Sequence, residues 1–231
     1  MKKIFIVSSL SLLLFTACDT PPSIMPSTAI KPNSMSQVIK LRYEEEKKEL
    51  VVTAQFLNNG YVKETYFLEK PSQILLNGKE GILDTIFWTG VMYKWIFGKA
   101  QSNGAYNLTY INNTDTLKNM FEFNGFELTK PIPNSIDKSK NLVLYLKGLP
   151  DNKSIDIALK DWNTRGLDTS FYVKTFNNTV TINAEVFKMF NKGNIEINIA
   201  YRTEDTLLQQ RNPKSYVAYY YELTKRTLTL Q

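Results

Sequence analysis

The chain has 231 residues, with 28 Lys and Arg against 22 Asp and Glu, one cysteine and no histidine. Without histidine, Ser-His-Asp and Cys-His catalysis and His-ligated zinc are excluded, and one cysteine cannot form an internal disulfide. The net charge of +6 is scattered along the chain and gives no nucleic-acid footprint, so no nucleic-acid partner is expected.

Residues 1–17 have the three parts of a secretory signal. Lys2 and Lys3 form a positive start, Ile4 to Phe15 an apolar stretch, and Thr16 and Ala17 a small-residue cleavage position. The apolar stretch is too short to cross a bilayer as a helix, which takes about 20 residues. The only cysteine, Cys18, follows directly. Phe15-Thr16-Ala17-Cys18 resembles the lipobox of a bacterial lipoprotein precursor, an apolar residue followed by two small residues and Cys. Phe15 departs from the aliphatic residue usual there, and Leu14 precedes it. The resemblance implies cleavage before Cys18, lipid on its thiol and on the new amine, and a place on a membrane of the bacterial cell envelope, outer membrane or cell surface ahead of inner membrane. Lipid on Cys18 would also remove the one thiol nucleophile. The mature chain would carry 26 basic and 22 acidic residues, and its length is ample for one or two cores.

Residues 18–37 are rich in Pro, Ser and Thr, a poor composition for helix or strand, and are expected to be a disordered, extended tether. From residue 38 the pattern turns strand-like. Leu50, Val52, Ala54 and Phe56 recur with a period of two, as do Leu142, Leu144 and Leu146, then Ile155, Ile157 and Leu159, then Ile195, Ile197, Ile199 and Tyr201. Turn residues fall between such runs at Asn58-Asn59-Gly60, Asn112-Asn113-Thr114-Asp115, Leu149-Pro150-Asp151-Asn152 and Asn177-Asn178. Tyr43-Glu44-Glu45-Glu46-Lys47-Lys48-Glu49 is a charge run expected at a solvated hairpin tip. One short helix is expected over Ala184–Phe190, capped by Asn183 and ended by Gly193.

Short alternating strands of this kind predict an all-β fold of tandem immunoglobulin-like β-sandwiches with one short connecting helix. Prolines and polar residues from Leu128 to Ser135 mark the boundary, giving one sandwich over 38–128 and another over 132–231. A single larger sandwich is the alternative. The order of elements in the second half resembles the β-sandwich lipoproteins common in Bacteroidota. Lys- and Asn-rich composition and three Asp-Thr-aliphatic triplets, at Asp84, Asp115 and Asp205, agree with it. The resemblance implies place and fold, with O-glycosylation of such triplets, and no reaction.

Two aromatic clusters are the candidate contacts. Tyr93, Trp95 and Phe97 share one strand face and read as core, whereas Trp88, just before Gly90, falls near a loop where it can meet a partner or glycan. In Tyr216-Val217-Ala218-Tyr219-Tyr220-Tyr221, one face holds Val217, Tyr219 and Tyr221. The other face offers Tyr216 and Tyr220 to a partner. Asp151, Asp156, Asp161 and Asp168 lack the compact loop spacing of a calcium site, and Asp161 is expected to make turn hydrogen bonds. No carboxylate pair, Gly-rich phosphate loop or cofactor motif is present, so no catalytic residue, metal or cofactor is expected. The function expected is a non-catalytic, membrane-anchored lipoprotein presenting β-sandwich modules to another envelope protein or a glycan. A fimbrial or pilin-like structural subunit is the alternative.

Overall fold

The structure, a computed structural model, describes residues 21–98, 103–112, 115–161 and 168–231. Its strands in chain order are β1 (Ser23–Pro26), β2 (Met35–Glu44), β3 (Glu49–Asn58), β4 (Tyr61–Phe67), β5 (Gln73–Leu76), β6 (Lys79–Glu80), β7 (Ile82–Ile86), β8 (Gly90–Gly98), β9 (Gly104–Asn112) and β10 (Asp115–Phe123). They continue as β11 (Glu127–Leu128), β12 (Ser135–Ile136), β13 (Leu142–Lys147), β14 (Ser154–Asp161), β15 (Asp168–Lys174), β16 (Thr179–Ile182), β17 (Gly193–Thr206), β18 (Tyr216–Glu222) and β19 (Arg226–Leu230). One helix, α1 (Ala184–Lys188), joins β16 to β17.

The period of two becomes burial. Leu50, Val52, Ala54 and Phe56 on β3, Leu142, Leu144 and Leu146 on β13, and Ile195, Ile197 and Ile199 on β17 all point inward. The chain is all-β and builds two sandwich cores in series. A large sheet runs β1-β4-β3-β2-β18-β17-β14-β15, with β8 and β7 added beside β3, and β19 and β12 beside β17. Over one end lies the sheet β10-β9-β5-β6, closing a core of Leu41, Phe56, Leu76, Trp95, Leu108 and Phe123. Over the other lies β11-β13-β16 with α1, closing a core of Leu144, Ile157, Ile182, Phe187, Phe190 and Ile197.

The cores do not divide the chain at one point. Leu207 and Val217, from the C-terminal half, belong to the first core, and Phe126 belongs to the second. The crossing is made by β17, whose 14 residues span about 45 Å at about 3.3 Å each. Its first part pairs with β14 and β19 and its last part with β18. β18 then lies parallel to β2, with Tyr216 opposite Val38 and Glu222 opposite Glu44.

Tyr221 packs at the junction and touches both cores. Its ring centroid is 4.7 Å from that of Tyr43, 5.2 Å from Phe126 and 5.9 Å from Phe123. Gly125 lies against that ring so closely that a Cβ there would stand 2.1 Å from Tyr221 Cε2. Gly148, at φ +100°, presses on the Gly125 carbonyl in turn.

The expected tether is ordered where the structure describes it. Ser23–Pro26 form a strand parallel to β4, 3₁₀ turns follow at Ser27–Ala29 and Pro32–Ser34, and β2 starts at Met35. Composition predicted disorder because local propensity is poor. The strand forms nonetheless because the edge of β4 offers backbone partners, and Met25 and Ile30 pack on the first core. Cys18 and the signal-like residues lie outside the described residues.

The turn expectations hold at particular residues. Asn59 (φ 48°) and Gly60 (φ 78°) turn β3 into β4, and Asn177 and Asn178 both take positive φ before β16. The charge run turns at Glu45–Lys48 between β2 and β3, but Glu45 is not merely solvated. Its Oε2 accepts the Thr224 N–H at 2.8 Å, pinning the β18–β19 connection. The helix forms where expected, with a different cap: Asn183 makes no side-chain cap bond, and Asn141 Oδ1 accepts the Ala184 N–H at 2.8 Å.

Replacing Tyr221 with Ala should cost about 3 kcal/mol, the scale of an aromatic truncated in a packed site. Chemical denaturation followed by circular dichroism should then show two transitions, as the cores lose their shared ring. Gly125→Ala should act in the same direction.

Candidate interaction surfaces

The floor of a surface groove of about 550 Å³ is the outer face of the shared sheet. Strand register aligns Arg202 (β17), Tyr220 (β18), Arg42 (β2), Val51 (β3) and Ile96 (β8) in one row. The next row sets Glu204, Ala218, Lys40, Thr53 and Lys94 side by side. Tyr216, Ala218 and Tyr220 share this face because β18 alternates, and small Ala218 between two tyrosines leaves room above the sheet.

Tyr220 is held between two guanidinium groups, with Arg42 Cζ 4.9 Å and Arg202 Cζ 4.8 Å from its ring centroid. Carboxylates fix the stack from the side. Arg42 Nε lies 2.8 Å from Glu44, its Nη2 lies 3.7 Å from Glu222, and Arg202 pairs with Asp156 at 3.2 Å. The Tyr220 hydroxyl donates to Glu222 Oε2 at 2.8 Å, and Asn198 Nδ2 donates to Glu222 Oε1 at 2.6 Å. Burial first, and the Glu222 hydrogen bond second, push the Tyr220 hydroxyl up to about 12. Tyr219, on the inner face, is pushed up to about 12 by burial and then by Asp205. Both remain protonated across the physiological range.

This arrangement presents donors of fixed direction beside carboxylate acceptors over a shallow floor of Val51, Thr53 and Ala218. It suits a hydroxyl-rich or peptide-like ligand lying across the sheet. The faces of the Tyr220 ring are taken by the arginines, so a sugar ring has no free face of Tyr220 to stack on. Tyr216 is half-buried at the lower end of the same face, opposite Val38 and Thr206.

Trp88 sits apart from this groove, exposed in the turn between β7 and β8 with Phe87 beside it. Trp95 is buried in the first core and its Nε1 donates to the Lys79 carbonyl at 2.9 Å, while the Tyr93 hydroxyl accepts the Leu68 N–H at 2.7 Å. The acidic residues of the second half disperse. Asp156 pairs with Arg202 and Asp168 with Lys160. Asp161 is the last residue of β14, buried opposite Ile195, and the loop of residues 162–167 that follows, where its turn hydrogen bonds were expected, lies outside the described residues. Among the described residues no three His, Cys, Asp or Glu side chains converge as metal ligands. Thr85, Thr116 and Thr206 of the three triplets are all exposed.

Arg42 and Arg202 are among the groove residues that the sequence did not single out as contacts. They lie far apart in the chain, and nothing local marks them. A signal exists only in hindsight, in the Tyr220 that separates them.

No protein-family profile matches the chain, and no curated protein matches it. Similar solved structures include the fibronectin(III)-like modules of Clostridium thermocellum CbhA, at 12% identity over 84% of this chain and 89% of that one, TM-score 0.26. A tetra-tandem repeat from the extending region of a large adhesion protein matches at 11% identity, 84% of this chain and 49% of that one, TM-score 0.27. A pair of tandem immunoglobulin domains of titin matches at 9% identity, 85% and 95%, TM-score 0.24.

Because Tyr219 and Tyr220 hold their protons more tightly in the folded than in the unfolded state, their contribution to stability is intact below the ordinary tyrosine value of 10.0 and is lost as pH rises toward about 12. Denaturation midpoints should therefore fall between about pH 10 and 12. Tyrosinate absorbance should show a late group of tyrosines ionising together with unfolding. Tyr220→Phe should lessen that alkaline sensitivity.

Proposed function

We propose that this protein is a non-catalytic binding module of the bacterial cell envelope, tethered through lipid on Cys18, that holds another envelope protein or a glycan on the outer face of its shared sheet. The observation that carries this reading is the Arg42–Tyr220–Arg202 stack beneath an open groove. Three charged or aromatic side chains from three strands are locked in place before any ligand arrives. Such preorganisation lowers the ordering cost of binding. Both guanidinium side chains are more than half exposed, so their ion pairs add little to fold stability.

Support for the anchor comes from the sequence around Cys18. The proposed attachment is the lipid, and among the described residues no helix is long and apolar enough to cross a membrane. Several acyl chains hold firmly because each buried methylene adds about 0.8 kcal/mol.

A photo-reactive residue replacing Thr53, on the groove floor, should capture one envelope component in intact cells. Arg202→Ala should abolish that capture while leaving the circular dichroism spectrum unchanged. Cys18→Ser should move the protein into the soluble fraction. Turnover of a defined substrate by the purified protein, or capture indifferent to Arg202, would sink the binding reading.

A further inference from the structure

Phe87 and Trp88 are each 64% exposed, with ring centroids 4.7 Å apart and planes nearly perpendicular. They sit at the end of the sheet where the chain enters. Val91, just beyond the turn, donates its N–H to Thr65 Oγ1 at 3.1 Å, and the Thr65 hydroxyl donates to the Ser23 carbonyl at 3.4 Å. The Thr89 carbonyl accepts from Gln55 Nε2 on β3. β1 runs parallel to β4, so the residues before Ser23 leave the sheet at the end where β4 begins.

Other apolar side chains gather at that end. Tyr61 and Val62, which open β4, are 53% and 64% exposed. Register places Thr206, Tyr216, Val38 and Gln55 side by side, so β17 finishes at the same level, and Leu208, which is 86% exposed, follows it. Lysines border the cluster. Lys63 lies between Val62 and Glu64, its carbonyl accepting from the Ser23 hydroxyl, and the Lys214 side chain packs over Gly60.

We propose that this end is a lipid-contacting surface. Phe87 and Trp88, flanked by Tyr61, Val62 and Leu208, rest in the interfacial layer of the bilayer that holds Cys18, with Lys63 and Lys214 toward anionic headgroups. This inference rests on the lipid-anchor reading. Reach and composition together favour a bilayer as the occupant. Cys18 precedes Pro21 by three residues, and a fully extended chain covers at most about 3.6 Å per residue. Lipid on Cys18 therefore keeps Pro21 within about 11 Å of the acylated residue. The end of the sheet entered by the chain must face the membrane closely, because the segment expected as a long spacer is largely strand β1 and turns. Trp and Tyr with flanking Lys are the side chains that favour the headgroup region. The second core stands at the far end of β17, away from the bilayer, and the groove opens sideways between the two.

The mature lipidated protein, reconstituted in phosphatidylethanolamine and phosphatidylglycerol vesicles with acyl chains brominated near the headgroup, tests this directly. A Trp162→Phe background limits the emission to Trp88 and the buried Trp95. Bromolipid should quench the component that Trp88→Phe removes, and plain vesicles should shift that component to shorter wavelength. Residual Trp95 emission, unchanged in Trp88→Phe, reports an intact fold. Vesicle-bound protein whose Trp88 is neither quenched nor shifted would overturn the contact and leave the anchor standing. An intact mass without acyl chains on Cys18 would overturn both.

Discussion

Parallel strands cannot be closed by a hairpin, and β2 and β18 come from opposite ends of the chain. Their pairing nonetheless fixes almost everything else. It sets Arg42 beside Tyr220, brings Leu207 and Val217 into the first core, and lays Tyr221 against Tyr43 and Phe126. Closing so long a loop is entropically costly, with a cost that grows only slowly with length. Burial of the Tyr221 ring between two cores, together with a ladder of backbone hydrogen bonds, offsets that cost. The glycines at 125 and 148 exist in this arrangement because two chain segments and a ring must approach where no Cβ fits.

Polar side chains reinforce the same closure from outside the ladder. Asn119, buried on β10, takes the Gln209 N–H on its Oδ1 and donates to the Gln209 carbonyl, copying a strand pair with a side chain. Asn212, also buried, donates to the Asn33 carbonyl and to Asn59 Oδ1, tying the connection before β18 to the start of β2 and to the β3–β4 turn. Ser215 Oγ accepts the Gln37 N–H at 2.9 Å. These bonds explain why the opening residues of β2, Met35 to Ile39, are buried on both faces. The connection between β17 and β18 covers what would otherwise be an open sheet surface.

The two proposed surfaces use opposite physics. The outer-face groove is charged and cross-braced, so its residues are costly to move and suited to directional contacts. The aromatic end is apolar and exposed, a state that water penalises and an interfacial lipid layer relieves. A tether of only a few residues would give the module a defined orientation, with one surface against the bilayer and the other presented to the periplasmic or outer space.

Alternation alone determined which residues of β3, β13, β14 and β17 face inward, because side chains of a strand must point to opposite sides whatever the strand pairs with. Asn59-Gly60 and Asn177-Asn178 were legible as turns because positive φ is a local demand. The inward set of the β18 tyrosines and the burial of Trp95 followed from the same local rule. Only the tertiary structure decided that β18 lies beside β2, that Arg42 and Arg202 meet across Tyr220, and that residues 23–37 are ordered. Each of those depends on a partner distant in sequence, and neither propensity nor periodicity carries information about which distant strand offers the open edge.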